Sequence, residues 1–228
     1  MTGCFTLVLE TFTSRASLAT IEPSGYLKQR EFTSDRSHNA VLFTPLQELL
    51  DAPQALAITR VLVGSGPGSY SGTRVGIAAA QGVAIAANCP VIAVPSILAV
   101  PCAQYGVSCL AIGDARRGSF WTAPLANFSL MAEPQLTDAE GLDAIVGQAV
   151  ASGMPVFSFE ACERFPLPLE LREQIRHEFP SAERLWQAWC NADPASRERW
   201  QQDAPQPIYL KPPHITPAKR PWWLPPQT

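Results

Sequence analysis

Between Val61 and Gly113 the chain carries a single charged side chain, Arg74. A stretch so poor in charge must lie mostly inside a fold or inside a membrane. Gln81, Asn88, Pro90 and Pro95 interrupt it, and its centre is Ala and Gly rather than Leu and Ile. It therefore lacks the roughly 20 continuous apolar residues of a spanning helix. It reads instead as a strand over 60–63, a glycine-rich loop over 64–72, an Ala-rich helix over 73–87 ended by Asn88 and Pro90, and a strand over 91–94. Strand–helix–strand in this order predicts a parallel pair. The helix has no polar face and must be covered on every side. Gly72, Gly76, Ala80 and Ala84 recur every four residues and form a ridge without bulk, which lets another helix approach closely.

The segment before it is built to the same end. Residues 4–10, 15–21 and 26–33 read as three strands joined by short turns, an antiparallel meander. From His38 to Leu50 the apolar positions Val41, Leu42, Pro45, Leu46, Leu49 and Leu50 make a helical stripe too wide for one contact. A sheet covers one side of each helix. The other side is covered either by the neighbouring helix or by a helix of a partner molecule, and the double excess of apolar surface favours the partner.

A second, shorter copy of the opening follows. Strands are expected at 107–112 and 119–123 around Asp114-Ala115-Arg116-Arg117-Gly118, another strand at 154–159, and helices at 167–179 and 182–190. Residues 205–228 hold eight of the 22 prolines, so that tail is neither regular helix nor central strand and is expected to lie extended over the body. The order of elements predicts an α/β fold with mixed sheets. The expected units are 1–104, 105–204 and the tail 205–228.

Charged residues are 16% of the chain against about 25% in typical domains, and the net charge is −3. This excludes nucleic-acid binding through a broad basic surface. The six cysteines show no CxxC spacing, and the three histidines are scattered, which argues against a structural zinc site. With no basic segment followed by an apolar run at the N-terminus, the expected setting is the cytoplasm, with reduced thiols.

Chemistry has few candidates. The loop from Gly64, through Gly66 and Gly68, to Gly72 is neither a dinucleotide fingerprint, since position 71 is Ser71, nor a Walker loop, since no Gly-Lys-Ser/Thr follows. A glycine loop opening a helix can hold an anion on backbone N–H groups, or it can simply permit a tight turn. Glu10 ends the first strand and Asp114 ends the corresponding strand of the second half. Two carboxylates so placed could hold Mg²⁺ and a nucleotide across a cleft. That makes a nucleotide-dependent phosphotransferase using Glu10 and Asp114 the rival reading.

Taken together, Leu9-Glu10-Thr11-Phe12-Thr13-Ser14, Arg36-Ser37-His38, Gly66-Pro67-Gly68-Ser69-Tyr70-Ser71-Gly72-Thr73-Arg74-Val75-Gly76, Asp114-Ala115-Arg116-Arg117-Gly118 and Ile208-Tyr209-Leu210-Lys211-Pro212-Pro213 resemble the TsaB (YeaZ) family, accessory subunits for threonylcarbamoyladenosine synthesis on tRNA. The resemblance covers most of the chain and is weakest over 125–205. It implies an actin-like, Hsp70-like (ribonuclease H-like) duplicated fold of two lobes. It implies a non-catalytic subunit that forms a heterodimer with a TsaD-like paralogue, is joined by a TsaE-like ATPase, forms a homodimer in isolation, and meets tRNA only indirectly. ATP and Mg²⁺ would enter only in the full complex. The partner-binding residues it implies are His38, Val41, Leu42, Pro45, Leu46 and Leu49 on one helix, and Tyr70, Gly72, Thr73, Arg74, Gly76, Ala80 and Ala84 on the other. Where this family usually has Asp, this chain has Glu10. The paired metal-binding histidines of TsaD-like proteins are absent, since His38 stands alone on its helix.

Overall fold

The computed structural model describes residues 4–33, 38–50, 58–67, 70–104 and 106–210. Two sheets of the same plan form its frame. The first contains β1 (Phe5–Glu10), β2 (Arg15–Ile21), β3 (Leu27–Thr33), β4 (Ile58–Gly64) and β5 (Val91–Val94), in the order β3-β2-β1-β4-β5. The meander pairs antiparallel, Leu7 opposite Thr20 for example, whereas β1–β4 and β4–β5 are parallel. The second contains β6 (Cys109–Asp114), β7 (Phe120–Ala126), β8 (Ser129–Leu130), β9 (Gln135–Thr137), β10 (Val156–Ser158) and β11 (Ile175–His177). Its order is β11-β10-β6-β7-β8, with β9 also on β7. In each sheet the first strand lies central, with an antiparallel hairpin on one side and parallel strands on the other. The fold is the duplicated α/β fold that the sequence predicts.

Every residue of β1 is buried, so both faces of the first sheet need a cover. On one face lie α1 (His38–Leu50) and α2 (Tyr70–Ala87), which pack together and on the strands through Leu42, Leu46, Leu49, Ile77, Ala80 and Ala84. The other face takes α5 (Ala182–Asn191) and α6 (Pro194–Gln202), both drawn from the second half of the chain. α5 packs on β1, β2 and β4, and α6 on β5. Leu185, Ala188, Trp189 and Trp200 join Val8, Leu62, Ile92 and Phe157 in one apolar cluster that runs through both sheets. On the second sheet α3 (Ala139–Ala151) buries Leu142, Val146 and Ala149 against Leu110, Ile112 and Val156.

Local chemistry explains the elements that sequence reading passed over. Asp138 accepts from the Gly141 N–H at 2.9 Å and caps α3, and Asp193 accepts from the Ser196 N–H at 2.9 Å and caps α6 behind Pro194. The helix expected over 167–179 does not form. A single turn, α4 (Leu169–Arg172), gives way to β11. Leu167, Leu169 and Leu171 alternate, a strand-like spacing, and Ile175 is needed to complete the edge of the second sheet. The strand expected over 107–112 starts two residues later, and Val107 is exposed. α2 begins at Tyr70 rather than at 73, one turn earlier. Among the described residues no helix is long and apolar enough to cross a membrane.

Because α5 seals the first sheet from the far side, removing its central side chain should unsettle both halves at once. Leu185, fully buried, is expected on change to Ala to cost about 2–5 kcal/mol in urea unfolding. A loss below about 1 kcal/mol would contradict this placement.

Candidate functional site

The described part of the loop after β4, Ser65 to Pro67, is held by its own chain. Ser65 donates its N–H to the Val94 carbonyl at 2.9 Å. The Gly66 N–H goes to Ser96 Oγ at 3.1 Å, the Ser96 N–H returns to the Gly66 carbonyl at 2.8 Å, and Pro67 has no N–H to offer. Gly66 sits at φ 90°, a left-handed conformation open to glycine. The N–H groups of Ser65 and Gly66 are thus spent inside the fold, and the loop serves as a tight turn over these residues. Gly68 lies outside the described residues.

Glu10 packs against this turn from inside the fold. Its carboxylate is wholly buried; Oε1 accepts from the Phe12 N–H at 2.9 Å, and Oε2 has no hydrogen-bond partner. Oε2 faces Gly64, where any Cβ would collide with it, and the Ser96 hydroxyl lies alongside. Burial pushes this carboxyl up to about 7, opposed by the Phe12 amide, the Ser96 hydroxyl and the Thr11 amide.

Asp114 stands elsewhere, on a cleft of about 550 Å³ between the two hairpins, with Thr13, Ser14 and Ser71 opposite. It accepts from the Arg116 N–H at 2.7 Å and pairs with the Arg116 and Arg164 guanidinium groups at 3.0 and 3.6 Å. Glu160 shares that cleft; burial raises its carboxyl, the Ser158 hydroxyl opposes this, and the nearby Asp114 charge adds to the rise. The structure does not bring Glu10 and Asp114 to one surface. Asp114 lines the cleft, whereas Glu10 is closed off behind Gly64. Among the described residues no three His, Cys, Asp or Glu side chains gather as a metal-holding group.

The surface with unspent apolar area is the groove between α1 and α2, with a volume of about 840 Å³. Phe43, Leu46 and Leu50 form one wall and Val75, Ala78, Ala79, Gly82, Val83 and Ala86 the other, with Ile58 also lining it. Arg74 is the one charged residue among its described lining, and Phe43 is 57% exposed. Burial separates the residues expected at a partner contact. Gly72, Thr73, Gly76, Ala80 and Ala84 are buried within the chain, because the glycine ridge is the side of α2 that approaches its own sheet. Thr11 Oγ1 donates to the Gly72 carbonyl at 2.9 Å, and a Cβ on Gly76 would strike the same hydroxyl. Leu42, Leu46 and Leu49 are buried as well, although Leu46 still reaches the groove. Val41 and Pro45 are half-buried, and Arg74 is exposed. The side chains of His38 and Tyr70 lie outside the described residues. Sequence reasoning missed the exposed Ala78, Gly82 and Ala86, which follow Arg74 at the same spacing of four, and the half-buried row Val75, Ala79, Val83 and Ala87 beside them. Once the glycines are assigned to the close backbone contact, these two rows are left to line the groove.

The family profile of TsaD, the tRNA N6-adenosine threonylcarbamoyltransferases, matches residues 31–156, more than half of the chain. The chain belongs to the TsaD family. That match takes in α1, β4, α2 and the central strands of the second sheet. Two solved structures share the fold over nearly its whole length. One is a Pseudomonas aeruginosa protein described as uncharacterized and similar to the peptidase YeaZ, with 22% identity, TM-score 0.67, and coverage of 91% of this chain and 100% of that one. The other is YeaZ from Pseudomonas aeruginosa, with 21% identity, TM-score 0.65 and the same coverage. No curated protein matches this member of the TsaD family.

The buried carboxyl yields a pH-dependent prediction. Folded Glu10 holds its proton to about pH 7, whereas the unfolded carboxyl, at its ordinary 4.5, has already released it. Stability should therefore fall as pH rises between these values and stay lower above them, by about 3 kcal/mol. Glu10→Gln, which has the same shape and no charge to bury, should be more stable than wild type at pH 8 and equal to it at pH 4. Parallel unfolding curves for the two proteins across that range would refute the assignment.

Proposed function

We propose that the chain is a TsaB-type accessory subunit of tRNA threonylcarbamoyladenosine synthesis, acting in the cytoplasm, and that its output is assembly rather than catalysis. The observation that carries this reading is the groove between α1 and α2, apolar but for Arg74. It takes the equivalent helices of a TsaD-like paralogue, giving a heterodimer, and in isolation a second copy of the chain. Apolar area buried there contributes about 25 cal/mol per Å² in gross terms, offset by the cost of association. A TsaE-like ATPase docks on the resulting pair, and ATP and Mg²⁺ enter with the full complex. Contact with tRNA is indirect, in keeping with a net charge of −3.

Family membership supports the setting in tRNA modification. The closed loop at Ser65 and Gly66 and the buried Glu10 support an accessory role, because neither offers a free surface to a phosphate.

Burial relocates the test of the interface. Gly76→Leu or Ala80→Leu would overpack the core and report on folding. The exposed pair Ala78→Glu and Ala86→Glu instead places two charges in the groove. This double variant should keep its melting temperature within about 3 °C and lose at least tenfold in affinity for the TsaD-like paralogue. Undiminished co-purification would sink the interface.

The phosphotransferase reading is tested on the isolated chain. Calorimetric titration with Mg-ATP at millimolar concentration should show no saturable binding. Tight binding with turnover, abolished by Asp114→Asn, would reverse the conclusion.

A further inference from the structure

We propose that in the free chain the segment around Trp222, Trp223 and Leu224 docks into the groove between α1 and α2, so that a partner must displace the chain's own C-terminus before it can enter. The docking stands on its own observations; only its consequence for a paralogue rests on the reading of the groove as an assembly surface.

The described chain ends as a strap. The Ile208 N–H donates to the Ser65 carbonyl at 2.9 Å. Tyr209 follows, its hydroxyl 3.2 Å from Arg74 Nε and its ring 5.9 Å from the Arg74 guanidinium. Arg74 lies in the first turns of α2 and is itself a wall of the groove. The strap thus delivers the C-terminal segment beside one end of the groove.

Eighteen residues remain, 211–228. Trp222 is twelve positions beyond Leu210, a contour of about 37 Å at the polyproline rise of about 3.1 Å per residue. α2 has 18 residues and is about 27 Å long. The segment can therefore reach any point along the groove. Its composition also suits the task. Pro212, Pro213, Pro217 and Pro221 restrict the unbound chain, so less entropy is lost on docking. Trp222, Trp223 and Leu224 form its longest apolar run, and Lys219 and Arg220 just before them can stay in water. The groove supplies what indole rings need. Ala78, Ala79, Gly82 and Ala86 leave room, and no carboxylate is among its described lining residues. Two buried aromatic rings bring about 150–250 Å² each. Tethering sets an effective concentration of about millimolar, enough for a modest contact to be occupied. A loose Trp-Trp-Leu next to an empty apolar groove would leave two sticky surfaces in water, and docking removes both.

The test uses the full chain. Trp223→p-benzoylphenylalanine, irradiated and digested, should give cross-links to peptides from 43–50 or 75–87. In an equal mixture with ¹⁵N-labelled chain these should be unmixed in label. In parallel, Trp222→Ser with Trp223→Ser should raise the fluorescence of anilinonaphthalene sulfonate severalfold and, if the groove is the assembly surface, raise paralogue affinity about tenfold. Cross-links confined to other segments, cross-links between light and heavy chains, or unchanged dye fluorescence would each overturn the proposal. Unmixed cross-links and a dye response, with a paralogue that binds neither protein, would uphold the docking and refute the assembly reading instead.

Discussion

The architecture depends on β1 being buried on both faces. A central strand so placed forces the chain to supply two covers for one sheet. The near cover comes from α1 and α2, the far cover from α5 and α6 more than a hundred residues away. That borrowing binds the two halves into one apolar cluster from Val8 to Trp200. On the outer side of α2 the described chain adds Tyr209 against Arg74, and the groove between α1 and α2 stays open.

The close approach of α2 to β1 determines which side of the helix is outward. Glycine at position 76 brings the helix backbone down on Thr11, and the Thr11 hydroxyl holds the Gly72 carbonyl. The ridge that suggests an interface between molecules is an interface within one molecule. Its counterpart, Val75 to Ala87, is only half-buried and lines the groove. A stripe of small residues marks a close helix contact but does not say with what. Here the Thr11 hydroxyl decides the matter, and Thr11 lies 61 residues from Gly72 in sequence.

Local signals in the sequence were enough for the meander, α1, the strand–loop–helix unit and the second hairpin, because each has a strong apolar pattern and a glycine or proline at its end. The duplicated order of strands follows from two such patterns in succession. The pairing of β10 with β11 was not legible. Three-residue strands are shorter than the period they would need to declare, and Leu167 to Leu171 alternate on the way into a single helical turn. α3 announced itself only by Asp138, Glu140 and the spacing of Leu142, Val146 and Ala149. At the site, Glu10 and Asp114 occupy equivalent strand ends, yet their surroundings are opposite. One is sealed behind Gly64 and the other sits on a cleft with two arginines. Solvent access is a property of the packed whole, and strand position alone does not reveal it.

The two halves part company at their second helices. In the first half α2 runs for 18 residues, and in the second the matching position holds α4, a single turn of four. The second sheet covers its outer face with α3 and with Phe165 and Leu167 from the loop before α4. The first sheet carries two full helices, and a furrow lies between them. Long residues on both flanks could have filled it. The Ala and Gly positions of α2 do not, and Phe43 and Leu50 stand at its rim. Duplication has thus kept one sheet as a closed scaffold and left the other with a furrow wide enough for side chains from elsewhere.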